Sequence, residues 1–112
     1  MWRDPDLYLD DIETACKKVL RFTTGVTFKR FTHDEEKFDA VLRNLEIIGE
    51  VVKHIPDEIR EKYPDVKWRK ITGFRDIVAH NYFGVSEEIV WDVIQNETPP
   101  LLKQIKAILR RS

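Results

Sequence analysis

The chain has 112 residues, 42% of them hydrophobic, and a formal net charge of −1. That length suits one domain, residues 1–112, with a real core, and the apolar content excludes a disordered chain. The near-neutral balance excludes a molecule that captures nucleic acid by its overall field, so any such binding needs a local basic patch. A single cysteine, Cys16, excludes an internal disulfide and suits a reducing, cytoplasmic setting. The opening MWRDPDLYLDD is too acidic for a signal peptide, and no apolar run approaches the ~18 residues that span a membrane. With only four glycines and no internal repeat or linker, the chain argues against an all-β fold.

Helical periodicity dominates instead. The first helix is expected to start at Asp4, with Pro5 in its first turn, and to carry Tyr8, Ile12, Ala15, Val19 and Phe22, widened by Leu9, Cys16 and Leu20. Gly25 is its expected stop. The second opens on Thr32-His33-Asp34-Glu35, which reads as a capping box led by Thr32. Phe38, Val41, Leu42, Leu45, Ile48, Val52 and Ile55 form its apolar face, and Gly49 within it points to close packing against a neighbouring helix. Pro56 ends that helix and begins a short turn from Asp57 to Tyr63.

A third helix is expected from about Val66 to Ala79, weakened at Gly73. Ser86 is placed to cap a fourth that carries Ile89, Val90, Val93 and Ile94. Thr98-Pro99 reads as a further cap and first turn leading into Leu101, Leu102, Ile105, Ile108 and Leu109, and Pro99-Pro100 as forcing a bend or break there. The expected fold is all-α: an antiparallel bundle of four to five helices. Its wide apolar faces, with Trp2, Trp68 and Trp91, favour a homodimer.

The chemistry gathers in RDIVAHNYF. His80 is a side chain able to accept and donate a proton near neutral pH, and Arg75 is a permanent cation shaped for phosphate. Together they suffice for RNA cleavage without a metal, because RNA supplies its own nucleophile, the 2′-hydroxyl. Arg75 would neutralise charge developing on the phosphorane, and DNA, lacking that hydroxyl, should resist. Five residues separate the pair by about 140° on an ideal helix. Two arrangements would reconcile them: a helix ending near His80, where Asn81 and Gly84 tolerate a turn, or a two-fold dimer that joins both motifs in one cleft. Lys67, Arg69 and Lys70 add cations nearby and are candidates for holding RNA. Trp68, Phe74, Tyr82 and Phe83 interleave aromatics, of which Trp68 and Phe74 read as core. His33, His54 and His80 show no metal-ligand spacing and no glycine-rich phosphate loop is present, so no metal or cofactor is called for.

The surrounding segments resemble the HepT-like proteins of the HEPN superfamily over nearly the whole chain. YLDDIETAC, AVLRNLEIIGEVV, YPDVKWRKITGFRDIVAHNYFGV and VWDVIQNETPPLLKQI are similar to successive family segments. Val51 stands where alanine is usual. The resemblance implies a dimeric helical ribonuclease with the motif Arg-x4-His-x-Tyr, here Arg75, His80 and Tyr82. It implies that Asp76 helps orient the arginine, that the motif's polar surroundings include Asn81, and that tRNA or mRNA is cut. It further implies a partner, the minimal nucleotidyltransferase antitoxin MntA, which places AMP on Tyr82. The alternative is a non-catalytic helical subunit of a nucleotidyltransferase that binds nucleotide or RNA.

Overall fold

The computed structural model describes residues 4–82 and 86–111, with the backbone alone for His80, Asn81 and Tyr82. Expectations that fall on Trp2, Phe83 and Gly84, and on the side chains of His80, Asn81 and Tyr82, lie outside the described residues. Every regular element among the described residues is helical.

Helix α1 spans Pro5–Thr23. Asp4 caps it as expected, accepting a hydrogen bond from the Asp6 amide at 2.9 Å. Its stripe buries Leu9, Ile12, Ala15, Cys16 and Val19. Gly25 follows with φ +73°, the left-handed geometry that turns the chain after a helix end.

The short helix α2, Phe28–His33, is absent from the periodicity reading. Thr27 caps it, and it inserts one fully buried residue, Phe31, between Phe38 and Trp91 at ring distances of 5.0 and 5.3 Å. Burying such a ring contributes roughly 1.5–3 kcal/mol. The expected capping box led by Thr32 is not formed. Thr32 sits inside α2, where its hydroxyl donates to the Lys29 carbonyl, and Asp34 caps α3 instead by accepting from the Lys37 amide at 3.0 Å. A carboxylate one residue ahead of Glu35 gains both the cap bond and the helix dipole.

Helix α3, Glu35–Val52, is the spine of the fold, packing against α1, α5 and α6. It ends three residues before Ile55. The segment expected as a turn is a further helix, α4, Asp57–Lys62, with Pro56 at its N-cap. The expected third helix is stepped at Gly73 into α5, Trp68–Thr72, and α6, Phe74–Tyr82. Trp68 and Phe74 are core residues, and the Trp68 indole donates to the Tyr63 carbonyl at 3.0 Å.

The last rod differs most from expectation. Ser86 does cap α7, Glu87–Asp92, by accepting from the Ile89 amide. The helix is not broken at Pro99-Pro100, which lie within the first turn of the last helix. A π-helical turn, Val93–Glu97, joins α7 to α8, Thr98–Arg111, with helical dihedrals at both junctions. Thr98 is not an exposed cap. It is fully buried, and both its amide and its hydroxyl donate to the Val93 carbonyl. A wider turn suits two proline rings, which lack N–H groups and would clash with the carbonyls four residues back in a regular α-helix. α8 then packs against α1 through Leu101, Ile105 and Ile108. No helix among the described residues is long and apolar enough to cross a membrane.

Candidate active site

Arg75 is set by a close helix approach. Gly49, buried in α3, faces the step between α5 and α6. A Cβ at Gly49 would lie 3.0 Å from the Arg75 backbone nitrogen, 3.0 Å from its Cγ and 3.3 Å from the Thr72 carbonyl oxygen. The glycine therefore does more than permit packing: it determines where the arginine leaves its helix. The chain needs no such approach at the next residue, and Glu50 instead extends a carboxylate to Arg75, with Oε2 3.0 Å from Nε. Both side chains are about half exposed, so the pair is screened by solvent.

This pairing was not foreseen. The residue expected to orient the arginine is Asp76, which is exposed and shares a surface hollow with Arg75, whereas Glu50 makes the ion pair. Nothing local in the sequence announces Glu50; the only hint is its place directly after Gly49.

Helix α6 continues through His80 and Asn81 to Tyr82. With its bound at Tyr82, two residues beyond His80, α6 is compatible with a helix end near His80. Five residues of α-helix set the Arg75 and His80 backbones about 7.5 Å apart along the axis and about 140° around it.

The basic cluster divides. Arg69 lines the same hollow as Arg75, together with Lys53, Arg60 and Asp76. Lys67 faces another hollow beside Asp65, Glu97 and Gln104. Lys70 is tied to the π-helical turn, its Nζ 2.7 Å from Glu97 Oε1. The hydrogen bond with Glu97 and the attraction of that carboxylate raise the Lys70 pKa. Of the three candidate RNA-binding cations, only Arg69 shares a hollow with Arg75. Lys70 is a fastener between α5 and the last rod. Lys53 and Arg60, remote in sequence, were missed because only the fold brings them here.

Cys16 is buried on α1, and burial, reinforced by Glu13, pushes its thiol up to about 12. It is a core side chain with no part in the site.

A family model described as "HepT-like: Ribonuclease HepT-like" matches residues 12–108. The chain is 42% identical over 109 residues to "Putative RNase TTE0752" of Caldanaerobacter subterraneus subsp. tengcongensis, covering 97% of each protein. It is 39% identical to "Putative RNase MJ0127" of Methanocaldococcus jannaschii, covering 96% of this chain and 89% of the relative. It is 37% identical to "Probable ribonuclease HepT" of Thermococcus cleftensis, covering 84% and 86% respectively. No solved structure matches the chain. These relatives support an RNA-cleaving enzyme.

Proposed function

We propose, from the premise that this chain belongs to the ribonuclease HepT-like family, that it is a metal-independent endoribonuclease and the toxin of a pair whose other member is an MntA-like nucleotidyltransferase. The observation that carries this reading is the intact order Arg75, His80, Tyr82 along one continuous helix, with Arg75 held at its start by the Gly49 contact.

In the proposed reaction, the RNA 2′-hydroxyl oxygen attacks the adjacent phosphorus. A bond from phosphorus to O2′ forms, the bond to O5′ breaks, and the products are a 2′,3′-cyclic phosphate and a 5′-hydroxyl. One proton leaves O2′ and one reaches O5′. Histidine is suited to either transfer, and Arg75 neutralises charge on the pentacoordinate phosphorus. A single helix sets Arg75 and His80 on different faces. A cytoplasmic homodimer whose two-fold axis brings two α6 helices together would present arginine and histidine to the same phosphate, and a second histidine for the second proton transfer. Asp76 and Asn81 would then line the cleft. The substrate is cellular RNA, tRNA or mRNA.

Tyr82, two residues beyond His80, is the proposed control point. AMP transferred from ATP to its phenolic oxygen, with release of pyrophosphate, adds bulk and negative charge where an RNA phosphate would sit.

The experiment is cleavage of a mixed RNA in EDTA by purified protein and by His80→Ala. Activity that survives EDTA and disappears in the variant is expected. Equal cleavage by the variant would remove His80 from the mechanism. The Arg75–Glu50 ion pair favours a second reading, because it engages the arginine's charge within the chain itself. On that reading the protein is a non-catalytic helical subunit of the nucleotidyltransferase, which co-purifies tightly with it and cuts nothing alone.

A further inference from the structure

The hollow beside Arg75 has a volume of about 330 Å³ and gathers four cations, Lys53, Arg60, Arg69 and Arg75, against one carboxylate, Asp76. In a chain whose total charge is −1, this is a strong local departure. The four come from separate places: Lys53 from the end of α3, Arg60 from α4, Arg69 from α5 and Arg75 from α6.

Their partners differ in kind. Arg60 donates from Nε to the Ile55 carbonyl at 3.1 Å and from Nη2 to the Val52 carbonyl at 2.5 Å. Those acceptors are neutral, so the guanidinium is fixed in place and its charge is kept. Among the described residues no carboxylate pairs with Lys53, Arg60 or Arg69. Like charges lining one hollow raise its positive potential, which favours a bound anion. The walls also suit a phosphate: three guanidinium groups, Arg60, Arg69 and Arg75, and the Lys53 ammonium line the hollow with positive charge and N–H donors.

We infer that this hollow is a subsite for a backbone phosphate of the RNA strand, neighbouring the phosphate at which cleavage is proposed to occur. The inference rests on the ribonuclease reading for the identity of the strand. Arg75 lines this hollow and is also the residue proposed to face the scissile phosphate, so it would join the two phosphate positions. A strand threaded this way would be held chiefly by charge at the hollow, with no reading of bases there. The subsite would therefore raise affinity for any RNA sequence and leave sequence choice to other surfaces.

The test uses a single-stranded 2′-O-methyl RNA oligonucleotide, which lacks the free 2′-hydroxyl and cannot be cut, so binding is measured independently of catalysis. Affinity is recorded against salt for the wild type and for Lys53→Gln/Arg69→Gln. Both residues are exposed, and Arg60 is left in place because it holds the end of α3. Circular dichroism and a melting curve confirm that the variant folds. The expected result is weaker binding and a salt slope shallower by about 0.7, the contribution of the one single-strand phosphate the hollow no longer neutralises. An unchanged slope in the folded variant overturns the subsite, as does a wild type that does not bind the strand. So does binding of ATP at the hollow, lost in the variant, while oligonucleotide binding is indifferent to the substitutions. Cleavage of unmodified RNA by the wild type is scored in parallel. Its absence counts against the ribonuclease reading, while the salt slopes still decide the subsite.

Discussion

Gly49 leaves no room for a side chain beside Arg75: a single added carbon on the glycine would stand 3.0 Å from the arginine's amide nitrogen. Alanine at Gly49 gains about 1 kcal/mol in helix propensity, but forcing a methyl into a packed contact costs about 1–3 kcal/mol. Because two of the three opposing atoms are backbone, side-chain rotation alone does not relieve the contact. Gly49→Ala is expected to lose about 1 kcal/mol in chemical denaturation, the difference between these estimates. RNA cleavage should fall at least tenfold through displacement of Arg75. A more stable variant with full activity would show that the contact does not place the arginine.

Glu50→Gln should release Arg75 without removing bulk. A half-exposed ion pair of this kind is worth at most about 1 kcal/mol, equivalent to roughly fivefold in affinity. Substrate KM is expected to fall by up to that factor, with the effect fading at high salt. A large rise in KM would mean instead that Glu50 orients the arginine for catalysis.

Lys70 offers a contrast with Arg69. Engaged by Glu97 and turned toward the last rod, Lys70 has no role in the proposed strand path. In filter-binding assays Lys70→Gln is expected to keep the wild-type salt slope for RNA, whereas Arg69→Gln lowers it by up to about 0.7. Equal losses from both would restore the continuous basic stretch that the sequence suggests.

The Cys16 thiol has a definite alkaline signature. Burial raises its pKa from 9.0 to about 12, so above pH 9 the unfolded chain releases a proton that the native chain keeps. The native state then holds more protons than the unfolded state, and stability falls as pH rises across that window. The comparison is with Cys16→Ala, which isolates the contribution of the thiol. The variant should start less stable because of its cavity, yet lose less on going from pH 9 to 12, the range set by the two pKa values. Parallel pH profiles would contradict this.

How far the sequence reveals the protein depends on the range of each interaction. Asp4, Gly25 and Ser86 act within a few residues of themselves, and their roles in starting or ending helices are readable from the chain. The apolar stripes of α1 and α3 repeat often enough to be unmistakable. Helix α2 escapes because six residues contain one buried side chain, Phe31, and no period. Thr98 misleads because Thr-Pro is also how helices begin, and its burial depends on α8 meeting α1. The site divides the same way. Arg75, His80 and Tyr82 form a local pattern, while Glu50, Lys53 and Arg60 reach the arginine only through folding.

The π-helical turn also bears on which lengths of chain this fold accepts. Val93–Glu97 winds five residues through a span that a tighter helix would cover with about four. Such a turn is the footprint of one surplus residue, and deleting it would ordinarily return a regular helix. Here Pro99 and Pro100 follow within three residues, where a regular helix would set their rings against the carbonyls four residues back. Shortening the turn would drive their rings into the preceding carbonyls, so the surplus residue and the proline pair are retained or lost together. Removing one residue between Val93 and Glu97 should be tolerated only alongside replacement of both prolines, which makes this stretch resistant to single-step change in length.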